Sequence, residues 1–211
     1  MFGVKEPHHI AGWRKVLSSR FLELIIASTV WCVLPGCGAH WVSFDNTSSQ
    51  VKSIRGLLGK PDGDGPFPAV VLLHASGGLD NNVWGWANYL NKLGYVTLAV
   101  DTFGSRGLSS CGLSRHLLCG GIGADVMISD AYGAIAYLGG LPFVEGEKIS
   151  IMGLSMGGSA VNRLASRARA HGRNFKSAIA LYGRCDFSEY DSIPLLEIFG
   201  EHDPPQVVVS L

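Results

Sequence analysis

Four short apolar runs, at residues 69–73, 95–100, 149–153 and 178–182, constrain this chain more than any other feature, and residues 195–199 add a fifth. They lack the alternation of a strand with one wet face, so they suit strands covered on both sides, as in the centre of a parallel sheet. Helical patterns separate them. Residues 84–93 are amphipathic, 124–138 keep helical spacing, and 156–170 open on small residues and close on arginines. Strand and helix alternating in this way predict an α/β fold: a mostly parallel central sheet, helices on both faces, right-handed crossovers between. Residues 50–58 alternate loosely and predict an early antiparallel strand, with a Pro/Gly/Asp-rich turn at 59–68. A chain of 211 residues, 47% hydrophobic, can bury one sizeable core and is too short for two ordinary domains.

Charge narrows the partners. Lys plus Arg equal Asp plus Glu, 17 against 17, so no overall positive field exists to hold nucleic acid, and a small, weakly charged substrate fits better. No Cys-x-x-Cys or His-x-x-x-His pair occurs, so no metal site is expected, and nothing in the pattern calls for a cofactor.

The N-terminus reads as an export signal. Lys5, Arg14, Lys15 and Arg20 precede a mainly apolar stretch at 21–34 that ends in Leu34-Pro35-Gly36-Cys37, which resembles a bacterial lipobox. The apolar stretch is shorter than the roughly 20 residues of a spanning helix. The expected organisation is a signal peptide and lipobox at 1–37, a linker at 38–49 and the folded domain at 50–211. It implies an exported protein of the cell envelope or periplasm that touches the membrane only through lipid on Cys37. A plain secretory signal, an uncleaved anchor and an ordinary helix are the alternatives. Cys32 would leave with the signal. Cys111 and Cys119 bracket a short loop and could pair in an oxidising compartment, leaving Cys185 as an odd thiol; three reduced, partly buried thiols are the other reading.

The chemistry centres on Gly153-Leu154-Ser155-Met156-Gly157, a Gly-x-Ser-x-Gly pattern. In a chain with 28 glycines the five residues alone are a weak signal. Their context is stronger, with Ile149-Ser150-Ile151-Met152 as an apolar strand before them and Gly158-Ser159-Ala160-Val161-Asn162 opening a helix after them. Such a strand–turn–helix elbow holds a serine hydroxyl above the sheet, and the helix start aims N–H groups at a developing oxyanion. A packing turn with a silent serine is the bland alternative. A second glycine turn, His74-Ala75-Ser76-Gly77-Gly78, follows the run at 69–73 and is placed to give the other oxyanion donor, Ser76 or its neighbour Ala75, beside Met156. His74 is expected to orient that loop rather than to catalyse.

Five ordered blocks now carry a resemblance: Pro68-Ala-Val-Val-Leu-Leu-His-Ala-Ser-Gly-Gly78, Leu93-Gly-Tyr-Val-Thr-Leu-Ala-Val-Asp-Thr-Phe-Gly-Ser-Arg-Gly107, Asp130-Ala-Tyr-Gly-Ala-Ile-Ala-Tyr-Leu138, the elbow, and Ile193-Pro-Leu-Leu-Glu-Ile-Phe-Gly-Glu-His-Asp203. From about residue 50 to 203 the chain is similar to the dienelactone hydrolase family. The resemblance implies an α/β-hydrolase fold and hydrolysis of an ester or lactone through an acyl-enzyme. It places Ser155 where the family has its nucleophile, a cysteine in the founding enzymes, and Asp203 where it has the triad acid. Arg106 stands where dienelactone hydrolases grip a substrate carboxylate; a solvated loop arginine or a salt bridge to Asp101 is the alternative.

One part of the pattern has no counterpart. The family's histidine follows the acid by some tens of residues, whereas eight residues without a histidine, Pro204 to Leu211, follow Asp203 here. The expectation is therefore a domain incomplete at its C-terminus, lacking the catalytic histidine and the last strand and helix, with poor stability and little activity as written. His202 adjoins the acid in sequence, and nothing in the spacing of His116 or His171 brings either to Ser155. The runner-up function is a membrane-anchored, catalytically dead pseudoenzyme or truncated gene product that at most binds a small ligand. Peptide or acyl transfer on the same fold is a third reading.

Overall fold

A computed structural model describes residues 38–46, 51–111, 121–167, 175–184 and 193–202. All lie within the compact unit Cys37–Leu211. Seven strands and three α-helices are found among the described residues: β1 (His40–Asp45), β2 (Ser53–Gly59), β3 (Phe67–Leu73), α1 (Asn81–Lys92), β4 (Val96–Val100), α2 (Ala124–Gly139), β5 (Val144–Leu154), α3 (Met156–Arg167), β6 (Ala178–Leu181) and β7 (Leu195–Ile198). The strands form one sheet in the order β1-β2-β4-β3-β5-β6-β7. β1 and β2 run antiparallel, and β4, β3, β5, β6 and β7 are parallel to one another.

The apolar runs become central strands because both their faces are covered. On β3, Ala69, Val71 and Leu73 join a cluster with Met127, Ala131 and Leu138 of α2 and Val161 and Leu164 of α3. Val70 and Leu72 point the other way, into a cluster with Val83 and Ala87 of α1. Asp80 caps α1 by accepting the amides of Asn82 (3.0 Å) and Val83 (3.3 Å), which satisfies two donors the helix start would otherwise leave open.

The 38–49 segment is not simply a linker. His40–Asp45 forms β1, paired with β2 from His40↔Leu58 to Asp45↔Ser53. Its alternation is short and polar at three positions, so its pairing is decided by what it meets rather than by its own pattern. Phe44 is buried against the main core, while Trp41 lies outside, its ring 5.1 Å beneath the Arg55 guanidinium. Just beyond β1, Asn46 donates to Asp130 of α2 at 2.5 Å.

The strand order reverses between β3 and β5, since β4 lies on one side of β3 and β5 on the other. Ligand sites of open α/β sheets form at such switch points, outside the carboxyl ends of the strands. There the register aligns Leu73 with Gly153 and Leu154 with Leu181, so the turns at His74, Ser155 and Tyr182 share one rim of the sheet. A cavity of about 640 Å³ opens at the opposite rim, lined by Ile149, Phe175, Lys176 and Ile193, and does not reach Ser155. No helix among the described residues is long and apolar enough to cross a membrane. The signal segment at 1–37, with Cys32 and Cys37, lies outside the described residues, as do Cys119 and Cys185.

Candidate active site

Ser155 joins β5 to α3 with φ +50°, a left-handed conformation that L-residues avoid. Close backbone packing holds it there. A side chain on Gly153 would run into the carbonyl of Gly157, and one on Gly157 would meet the carbonyls of Leu73 and His74. One on Gly158 would lie 2.8 Å from the Leu181 carbonyl. Each glycine thus lets two backbones approach where a Cβ would separate them. The Ser155 amide donates to Leu181 (2.9 Å), and its carbonyl accepts from the Ser159 amide (2.8 Å) and hydroxyl (3.2 Å). Met156 is the first residue of α3, so its N–H is one of the donors a helix cannot satisfy internally, at the positive end of the helix dipole.

The turn after β3 presents Ser76. Its N–H belongs to the Ala75–Ser76 peptide, which is trans. The carbonyl of that peptide accepts from the His74 ring Nδ1 at 2.7 Å and from the Gly78 amide at 3.1 Å. In a trans peptide the N–H points opposite to the C=O, so the two bonds that fix the carbonyl also fix the direction of the Ser76 N–H. Because a carbonyl only accepts, Nδ1 carries the ring proton, and His74 is the tautomer with a bare Nε2. That Nε2 is buried without a hydrogen-bond partner, and the ring lies 4.6 Å from Phe103, centroid to centroid. Burial lowers the His74 pKa below the ordinary histidine value, against the opposing pull of the Ala75 carbonyl and of Asp101, Asp130 and Asp80. The imidazole is therefore neutral and occupied in orienting the turn.

Arg106 follows a different course from the substrate grip expected of it. It lies in the 3-10 turn Gly104–Arg106, and its guanidinium makes a fork to Asp130 of α2, at 2.8 and 2.9 Å. It also donates to the Thr102 carbonyl at 2.8 Å. The charge is neutralised by a carboxylate of the protein itself, which leaves the substrate-grip expectation without geometric support. Asp101, the alternative partner, pairs instead with Arg55 at 2.9 Å.

Tyr182 is a rim residue that the sequence reading did not single out. It has φ +42°, the second positive φ of a non-glycine among the described residues, and stays about half exposed. Its amide donates to Ile198 (2.7 Å), and the next two residues bind the elbow: Gly183 packs on Gly158, and the Arg184 amide donates to the Ser159 hydroxyl at 2.8 Å. Burial, then the charge of Asp80, raises the Tyr182 pKa above the ordinary phenol value. The aromatic residue directly before a glycine at a strand's end was the available signal.

Asp203 lies outside the described residues, and so do His116 and His171. His202 is exposed. The structure thus brings Ser155, Met156 and the His74–Gly78 turn to one rim of the sheet and gives Arg106 a carboxylate partner within the protein, Asp130. Cys111 is disulfide-bonded, which resolves the open question of its oxidation state; both cysteines weighed as partners or odd thiol, Cys119 and Cys185, lie outside the described residues. No group of three or more His, Cys, Asp or Glu side chains suited to a metal ion occurs among the described residues.

A switch-point serine on a left-handed elbow, at the exit of the central strand of a mostly parallel sheet, defines an α/β-hydrolase fold. Residues 54–207 match the dienelactone hydrolase family, and the chain belongs to it. Among solved structures, a dienelactone hydrolase-like promiscuous phosphotriesterase from metagenomic libraries superposes with a TM-score of 0.64 at 23% identity, covering 79% of this chain and 71% of that one. The α/β hydrolase GrgF of a Penicillium species gives a TM-score of 0.54 at 21% identity over 69% of this chain and 46% of its own. Both likenesses are to the fold. A probable dipeptidyl-aminopeptidase B of Grosmannia clavigera is 32% identical over 102 residues, 48% of this chain. The chain spans 10% of that relative's length.

Proposed function

We propose that this chain is a serine hydrolase of a small-molecule ester or lactone, working through an acyl-enzyme. The observation that carries the reading is the φ of +50° at Ser155, a strain that the surrounding backbone contacts maintain and that presents the hydroxyl at the switch point. In this mechanism a histidine base takes the Ser155 hydroxyl proton as Oγ attacks the carbonyl carbon and gives it to the departing alkoxide. The negative charge moving onto the carbonyl oxygen is met by the N–H groups of Met156 and Ser76, already oriented by α3 and by the His74–Ala75 bond. Collapse of the tetrahedral adduct expels the alcohol, and water then releases the acid from Ser155. Asp203 is assigned the role of orienting a histidine base. Family membership supports hydrolysis, and the disulfide at Cys111 supports export, because such bonds persist in oxidising compartments.

The test is labelling with a fluorophosphonate, which captures a serine only when a base can take its proton. Stoichiometric modification of Ser155, lost in Ser155→Ala, is the result this reading requires, against the sequence-based expectation of little activity. A folded protein that stays unlabelled would replace this reading with that of a ligand-binding pseudoenzyme.

A further inference from the structure

We propose that the Cys111 disulfide is a positioning element of the oxyanion turn, so that opening it slows catalysis without unfolding the domain. The inference rests on the serine hydrolase reading for its catalytic consequence, but its mechanical part stands on the structure.

Cys111 is buried and disulfide-bonded, and its backbone amide donates to the carbonyl of Ser76 at 2.7 Å. The peptide on one side of Ser76 is held by His74 and Gly78; the peptide on the other side is held by Cys111. Two residues earlier in the same segment, the Ser109 carbonyl lies against Gly78, so closely that a side chain there would not fit, and Gly78 itself has φ +82°. The segment 109–111 therefore lines the turn along its length. Cys111 also shares a buried cluster with Phe103 and Ile122, against which Met156 packs, and the Phe103 ring lies tilted against that of His74. Cys111 thus bonds to the carbonyl of Ser76, and Met156 packs against the cluster to which Cys111 belongs.

Among the described residues one backbone hydrogen bond joins this segment to the turn, and a surface segment held in that way opens at low free-energy cost. A covalent tie at Cys111 removes that freedom. A dithiol reductant reverses it: two thiols deliver two electrons and two protons to the S–S bond, giving Cys111 and its partner as thiols and leaving the reductant as a cyclic disulfide.

The experiment compares the full oxidised chain, the same chain after dithiothreitol, and Cys111→Ser, using p-nitrophenyl acetate hydrolysis and amide hydrogen exchange. Loosened oxyanion donors weaken only the transition state, so kcat is expected to fall about tenfold or more with KM within about twofold, and to recover on reoxidation of the wild type. Exchange across residues 74–79 should quicken about tenfold while β5 and α3 keep their protection. Unchanged exchange at 74–79 in a chain whose thiols titrate as reduced would overturn the proposal. So would a uniform rise everywhere, the mark of a bond that adds only global stability. If neither redox form hydrolyses the ester or labels at Ser155, the hydrolase reading fails and the exchange pattern alone decides the positioning claim. Should Cys111→Ser fail to fold, reduction of the folded wild type gives the same two readouts.

Discussion

The guanidinium of Arg106 and the carboxylate of Asp130 meet in a two-bond fork between the turn after β4 and the buried face of α2, with 9% and 0% of their side-chain surfaces left to solvent. Removing one member of such a pair strands a buried charge, at a cost of about 3–5 kcal/mol. Arg106→Ala is expected to show that loss in urea unfolding. At a temperature where the variant is folded, its preference for a carboxylate-bearing ester over the neutral analogue should match the wild type's. A collapse of that preference would restore the substrate-grip role.

Relief of backbone strain at Ser155 gives a second expectation. Glycine tolerates φ +50° where serine does not, so Ser155→Gly should stabilise the fold by about 1 kcal/mol and raise Tm by roughly 2–4 °C while abolishing labelling. A melting point that falls would show that the elbow is not strained.

His74 makes stability depend on pH in one direction. Burial depresses its pKa in the folded state, so below the ordinary value of about 6.5 the unfolded chain takes up a proton that the folded chain refuses. Stability should hold above that pH and fall as the pH drops through the window beneath it. His74→Asn keeps a donor near the Nδ1 position and does not titrate. Urea midpoints between pH 5 and pH 7, measured for both proteins, should slope less in the variant.

Asp80 serves two neighbours that two substitutions can separate. Asp80→Ala removes the α1 cap and should cost about 1 kcal/mol, whereas Asn caps as well as Asp. Asp80→Asn should therefore keep stability and lower the Tyr182 pKa slightly, because burial is the larger cause of its rise and the charge the smaller. Ultraviolet titration of the phenol, with Tyr182→Phe as the control, reads the shift.

The parts of this protein legible in its sequence were those in which neighbours along the chain carry the signal. The runs at 69–73, 95–100, 149–153, 178–182 and 195–199 each contain or overlap an observed strand. The early strand is legible, but β1 is not, because a six-residue strand that is polar at His40, Ser43 and Asp45 has too little apolar content to stand out. Around the site, Gly153 and Gly157 could be read as required glycines, since the elbow's turn is local. The positive φ of Tyr182 has no such local signature; it goes with the packing of Gly183 on Gly158 of α3, residues 25 positions apart in the chain.

By itself, then, the sequence determined the class of fold, the place of Ser155 at a strand-to-helix turn and the glycine turn at His74–Gly78, since periodicity and turn chemistry are properties of contiguous residues. Only the tertiary structure decided that Arg106 spends its charge on Asp130, that Asp101 turns to Arg55, and that Cys111 reaches the carbonyl of Ser76. Each of these joins residues 24 to 46 positions apart along the chain; for Cys111 and Ser76 the separation is 35. Such partners are chosen by the order in which strands cross the sheet and by which side chain reaches a buried charge or an open carbonyl first, and no local pattern records either.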